Sequence, residues 1–328
     1  MKATEVNAMA SRCNNLKCSL TTLLILILTS CITTAEFPII DAHSQADQHI
    51  PLEEILSLMD EAGVSRTILA LRGQRQPEEL ISFAARHSDR ITPAVRTKGG
   101  AYQKGPKQFD RFLDKQIQMA QFGAMAEVLL WHAKKEKAPN VTLGTAKKGK
   151  PPQVVVPPDD PRVKIALAKA IEKNWPFIAH IEFAAAGADK DLFMAKFEDM
   201  LRQHPDHPVV LMHMGELDAK DVRRLIGKYG NIHFNTAMSN PIVVDRFDHP
   251  FVNLFKGTIL APEWRELFVQ YPDRFILGFD NVFAGHWRKL YLKQVALWRK
   301  ALKDLPEDVA HAVAHGNAER LWRLPPAK

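Results

Sequence analysis

The sequence predicts an α/β fold, a single (β/α)8 TIM barrel, and three observations predict it. Four short apolar runs each end in a histidine or an aspartate: Pro38–His43 (PIIDAH), Pro176–His180 (PFIAH), Val209–His213 (VVLMH) and Phe275–Asp280 (FILGFD). Runs this short and this apolar read as strands of a parallel sheet buried on both faces. Strand-like runs then alternate with amphipathic helical stretches along the chain. About 290 residues follow an apolar leader, a length within the range of that barrel. In such a barrel the C-terminal ends of the strands meet at one mouth, where the four terminal side chains would converge.

The strands fall at residues 38–42, 65–71, 91–95, 124–130, 177–181, 209–213, 232–235 and 275–279. Helix punctuation agrees with them. Pro51 opens a helix over Leu52–Ala62 and Gly63 closes it; Pro77 opens Glu78–His87. Gly123 follows a helix that starts at Lys107, Pro161 opens one running to Lys173, and Gly230 follows Lys220–Tyr229. A further helix over Pro306–Ala314 leads into a last short one, with Asn317 as its expected N-cap. The one long irregular segment is Ala133–Asp160, following the fourth strand and rich in lysine (Lys134, Lys135, Lys137, Lys147, Lys148 and Lys150). Its position puts it on the mouth side, either as a basic lid for an anionic ligand or as a plain solvated loop.

Residues 1–35 form a leader and 36–328 the barrel. Leu20–Leu28 is apolar, follows basic residues and falls well short of the roughly 20 residues of a membrane span, so it reads as an export signal. Leu28–Cys31 (LTSC) matches a lipobox, which would attach lipid at Cys31; cleavage after Ala35 to a soluble periplasmic form is the alternative. A third reading is a start codon placed too early, upstream of an incidental apolar stretch. Cys13, Cys18 and Cys31 all lie in this leader, so the barrel has no disulfide, thiolate ligand or cysteine nucleophile. The net charge of +7 owes about +2 to Lys2, Arg12 and Lys17 against Glu5 in the leader, and no basic stripe with interleaved aromatics is present. Nucleic-acid binding is not expected. The absence of a Gly-rich phosphate loop and of a Gly-x-Ser-x-Gly elbow argues against nucleotide transfer and serine hydrolysis.

Several side chains carry candidate chemistry. Asp280 ends the last strand run, where a carboxylate can bind metal or accept a proton; capping the next helix is its structural alternative. His43, His180 and His213 are imidazoles suited to zinc, iron or manganese or to acid–base work. Glu127 is a charge inside an otherwise apolar strand, so it should be paired, metal-facing or catalytic. Arg72 and Arg96, at the ends of strands two and three, suit a substrate carboxylate, with an ordinary ion pair as the alternative. His286 lies on the loop after Asp280, within plausible reach of substrate.

Taken in order, these strand ends resemble the metal-dependent amidohydrolase superfamily, in its amidohydrolase-2 branch, over about Ile39 to Leu324. The tail His315–Trp322 (HGNAERLW) is also family-like. The resemblance implies a hydrolase-type TIM barrel with His43, His180 and Asp280 as ligands of one divalent metal, zinc by donor type, and His213 contacting substrate or reacting water. The family's first strand usually ends His-x-His, whereas this chain reads His43-Ser44-Gln45. Gln45 is then a weak ligand at best, and the metal is expected to be loosely held or lost. The implied activity is hydrolysis of an amide or lactone bond of a small organic carboxylate through a metal-activated water. The alternatives are non-oxidative decarboxylation of a small carboxylic acid, or a non-catalytic ligand-binding barrel. A homodimer is expected from family habit alone.

Overall fold

A computed structural model describes residues 37–119, 121–133, 153–246 and 249–327. The leader, the lipobox with Cys31, and residues 134–152 of the lysine-rich segment lie outside the described residues. Phe37–Lys328 forms one compact unit.

Eight staves close a barrel. In chain order they are β1 (Ile39–Ala46), β2 (Val64–Leu71), β3 (Ile91–Val95), a fourth stave in two pieces, β4 (Ala124–Met125) and β5 (Val128–His132), and, after a short β6 (Val154–Val155), β7 (Phe177–Ile181), β8 (Val209–Leu211) and β9 (Ile232–Asn235). A hairpin of β10 (Phe255–Lys256) and β11 (Ile259–Leu260) precedes the eighth stave, β12 (Phe275–Ile276). Neighbouring staves pair in parallel from β1 to β4 and from β5 to β12. The seam between β12 and β1 is closed by backbone bonds from Ala42 N to Leu277 O (3.0 Å), Asp280 N to His43 O (2.8 Å) and Gln45 N to Asn281 O (2.8 Å).

Two apolar layers hold the barrel. Inside it, Ile40, Ala42, Ile68, Ala70, Ala94, Ile178, Val210 and Ile276 pack together, and Ala318, Leu321 and Trp322 pack against them. Small and branched residues alternate here because a closed eight-stranded sheet leaves room for side chains but for no channel. Outside it, large side chains such as Phe83, Phe109, Phe197, Phe268 and Trp298 bury the helices against the sheet.

The helices start and stop where the punctuation placed them. Leu52–Ala62 ends at Gly63 in the left-handed region (φ 68). Pro77–Arg86 opens with a reciprocal capping box between Gln76 and Glu79. Pro161–Lys173 is capped by Asp160, whose side chain accepts from Arg162 N at 2.8 Å. Val154–Val155, expected within the long loop, instead pairs antiparallel with Trp131–His132.

Several boundaries differ from expectation: the fourth strand, read as 124–130, breaks at 126–127, and the last, read as 275–279, covers only Phe275–Ile276. Asn317 does not cap a helix: the chain runs helically through it, and its amide donates to Pro272 O (2.7 Å) and Phe275 O (2.8 Å), which pins the start of β12. Strand β8 stops at Leu211 rather than His213, because His213, Met214, Gly215 and Glu216 all adopt positive φ (54°, 57°, 66° and 55°). Among the described residues no helix is long and apolar enough to cross a membrane.

Candidate active site

The mouth is built by departures from regular strand geometry. In β1, Asp41 pairs with Thr67 and Ser44 with Leu69, so three steps on β1 span two on β2. This bulge changes the parity of the strand. Ile40 and Ala42 face the interior, and so does Gln45, whose partner is the interior Ala70. Asp41 anchors the bulge: it accepts from His43 N (3.3 Å), Phe279 N (3.0 Å) and Ser44 Oγ (2.5 Å). Burial raises the Asp41 carboxyl to about 7, with those hydrogen bonds pulling the other way. The carboxyl therefore ties β1 to the chain after β12 and takes no position among the mouth groups. Trp287 fixes the far side, donating from Nε1 to Gln45 O at 2.9 Å.

Five of the expected residues, His43, Gln45, His180, His213 and Asp280, converge around a sixth, Glu127, which sits in the break between β4 and β5. His43 Nε2 lies 3.6 Å from Glu127 Oε1 and 3.6 Å from Asp280 Oδ1. Gln45 Nε2 donates to the same two oxygens, at 3.3 Å and 2.9 Å. His180 Nδ1 is 2.6 Å from Glu127 Oε2, and its Nε2 is 3.1 Å from Glu182 Oε1. His213 Nε2 is 3.6 Å from Asp280 Oδ2. All of these side chains are buried.

The electrostatics assign different states to these groups. Burial opposes ionisation of Glu127, but Lys98 and His180 outweigh it and hold the carboxyl well below its usual range. Asp280 is also held low: burial and the Glu127 charge raise it, and His43, His213 and Lys98 more than compensate. Burial pushes His180 down, yet the charges and hydrogen bonds of Glu127 and Glu182 raise it to about 9. It is an imidazolium at neutral pH with both N–H groups donated to carboxylates. His213 is pushed down to about 4 by burial and by the His180 charge, so it is neutral. Its Nδ1 lies 3.1 Å from the carbonyl of Ala237, which can only accept, so the proton resides there and the Nε2 lone pair faces Asp280.

The contacts define what each of three side chains presents to the cluster. His180 offers no lone pair while both nitrogens are protonated, so a metal there would have to displace a proton; its position is that of a partner to Glu127. Gln45 presents its amide N–H to two carboxylates and bridges them. His213 turns its Nε2 lone pair toward the cluster, as a hydrogen-bond acceptor.

The group that fits a divalent cation best is His43, Glu127 and Asp280, whose ligand atoms lie within 4.8 Å of one another. Both ring nitrogens of His43 are buried without a hydrogen-bond partner, which a cation at Nε2 would remedy. One nitrogen and two carboxylate oxygens suit zinc or manganese. Three further such groups among the described residues are Glu127 with His180 and His213, His132 with His180 and Glu182, and Glu182 with Glu216 and His249.

Beside this cluster is a cavity of about 130 Å³, lined by Gln45, Arg72, Arg96 and Lys98 among others. Arg72 donates to Val282 O (3.2 Å) and stacks over Phe283 (4.5 Å to the ring centre). Arg96 donates to Lys98 O (3.2 Å) and Gly73 O (3.0 Å). Both bind only backbone carbonyls; among the described residues neither guanidinium has a carboxylate at ion-pair distance. His286 Nδ1 accepts from Val282 N (3.3 Å), and its ring meets the same Phe283 over which Arg72 stacks. A larger cleft of about 580 Å³ lies by the N-terminal ends of β2 and β3, lined by Arg66 and Arg90, but it contains no histidine.

Sequence reading missed Lys98, which bonds Glu127 Oε1, whereas the structure adds Glu182 as a partner of His180. Sequence reading also missed His249, which bonds Glu216 and lies 3.6 Å from Glu182. The available signal for Lys98 was its place two residues beyond Arg96, at a strand end that faces the mouth.

Comparison with known proteins agrees with this geometry. The amidohydrolase-2 family profile, described as amidohydrolase, matches residues 30–324. No curated protein matches the chain. Among solved structures, the chain is similar to an uncharacterised TIM-barrel protein from Bordetella bronchiseptica (16% identity, 83% of each chain, TM-score 0.53). It is also similar to 5-carboxyvanillate decarboxylase from Sphingomonas paucimobilis (13% identity, 88% of this chain and 100% of that one, TM-score 0.54). A third similar structure is an amidohydrolase from Burkholderia multivorans with bound zinc (14% identity, 88% and 100%, TM-score 0.51). A barrel whose strand ends gather histidines and carboxylates, matched by the family profile over nearly its whole length, places the chain in the metal-dependent amidohydrolase-2 family.

Proposed function

We propose that the protein is a hydrolase that opens an amide or lactone bond of a small organic carboxylate at the barrel mouth. One observation carries this reading: an ionised, buried Asp280 faces His43 and His213 next to a cavity lined by two guanidiniums that have no carboxylate partner among the described residues. Arg72 and Arg96 bind the substrate carboxylate, since a guanidinium accepts it with two parallel hydrogen bonds. His43, Glu127 and Asp280 would hold one divalent metal, with zinc proposed from the donor set. Such a metal, when bound, lowers the pKa of water toward about 7 and polarises the scissile carbonyl. Asp280 takes the proton of the attacking water and returns it to the leaving group. The neutral His213, through Nε2, accepts a hydrogen bond from that water and orients it.

Decarboxylation is the second reading, because a similar structure is that of 5-carboxyvanillate decarboxylase. Turnover in 18O-labelled water separates the two. Hydrolysis of a lactone or amide places one labelled oxygen in the product carboxylate, whereas decarboxylation releases carbon dioxide and leaves a product one carbon shorter. A metal-loaded protein inert toward lactones, amides and aromatic acids would favour a ligand-binding barrel instead.

Export with a lipid at Cys31 remains part of the proposal. Cys31→Ala is expected to move the protein from the membrane to the soluble fraction. Recovery of the unaltered protein from the cytoplasm with Met1 intact would contradict export.

A further inference from the structure

Lys98 sits in a loop fastened directly to the candidate metal centre. Thr97 Oγ donates to the carbonyl of Glu127, and Gly99, at φ 112, turns the chain just beyond. The Lys98 ammonium bonds Glu127 Oε1. That same oxygen faces His43 Nε2 at 3.6 Å and belongs to the atom group that fits a divalent cation. One carboxylate oxygen is thus within reach of two different cations. In a buried site of low dielectric, an ammonium and a divalent ion repel each other too strongly to share it. The two partners differ in freedom. Glu127 is 1% exposed, whereas the Lys98 side chain is 26% exposed and also lines the cavity with Arg72 and Arg96.

We propose that Lys98 is the resident counter-ion of Glu127 and exchanges with the divalent cation, so that it sets the affinity of the centre. The inference rests on the metal reading above. Without a metal, the Lys98 ammonium and the His180 imidazolium offset the buried negative charge of Glu127 and Asp280, and the Gln45 amide bridges the two carboxylates. Binding a metal breaks the Lys98–Glu127 pair, and the centre therefore binds metal less tightly than the same ligands would without the lysine. Lys98 is a positioning residue: it acts on the cation only through Glu127.

Zinc titration calorimetry on the full-length protein tests the exchange, comparing wild type with Lys98→Met and Lys98→Arg. Removal of the ammonium should tighten zinc binding about tenfold or more, the equivalent of one charge-assisted hydrogen bond. Lys98→Arg keeps the charge and should retain wild-type affinity. A merely structural role would give the opposite sign, since a loosened site binds zinc more weakly. Thermal unfolding gives an independent reading: zinc should raise the melting temperature of Lys98→Met by more than that of wild type. Lys98→Gln, which keeps a donor for Glu127, provides the same comparison if the methionine variant does not fold. A folded, neutral variant with wild-type or weaker zinc affinity overturns the exchange while leaving the metal centre standing. Zinc binding to none of the proteins overturns the metal reading and the exchange with it.

Discussion

Asp280→Asn is expected to lower turnover by about 10²- to 10⁴-fold, the usual contribution of a positioned general base. The substitution keeps the shape of the side chain and removes its charge. Asp280 is buried and held ionised by His43, His213 and Lys98. An amide there cannot accept the proton of water, and its NH2 would face the Gln45 amide, which now donates to Oδ1 at 2.9 Å. The check is kcat on whichever lactone, amide or acid the isotope experiment identifies, with circular dichroism to confirm the fold. Turnover within threefold of wild type would remove Asp280 as the base.

Trp287→Ala carries the largest expected effect on stability, a loss of about 3–5 kcal/mol from the cavity left by a fully buried indole. The ring packs on Tyr291 with centroids 4.9 Å apart, and Nε1 donates to Gln45 O at 2.9 Å. Truncation therefore also strands a buried carbonyl on the bulged strand that presents His43 and Gln45. Trp287→Phe retains most of the packing and should cost about 1 kcal/mol for the lost hydrogen bond. Urea unfolding of both variants measures the difference. If Trp287→Ala lies within about 1 kcal/mol of wild type, the indole is not the anchor of this strand.

The fold and the identity of the main groups were legible in the sequence. Short apolar runs between helix signals gave the staves, because a strand buried on both faces has no polar side to show. Gly63, Pro77 and Pro161 marked helix boundaries because their backbone preferences act locally, whatever surrounds them. The same logic put His43, His180, His213 and Asp280 at one end of the barrel, since a parallel sheet delivers all its C-terminal ends to the same mouth, whereas Glu127 stood out only as a charge inside an apolar strand. Arg72 and Arg96 followed from the same rule.

Only the tertiary structure decided what each group does there. Strict alternation from Ile40 and Ala42 would turn Ser44 inward and Gln45 outward, and the bulge between Asp41 and Ser44 reverses this. That bulge is held by bonds from Asp41 to Phe279 N and from Trp287 to Gln45 O, more than 200 positions away in the chain. The left-handed run from His213 to Glu216 has no local signal beyond Gly215. Lys98 could be recognised as the partner of Glu127 only after β3 and β4 were side by side. Proton positions depend on the same long-range contacts: Ala237 fixes the His213 tautomer, and Glu127 with Glu182 keeps His180 charged. Residue types and strand order are local properties that the sequence carries. Side-chain direction at a bulge, and charge state in a buried cluster, are set by neighbours that only the closed barrel brings together.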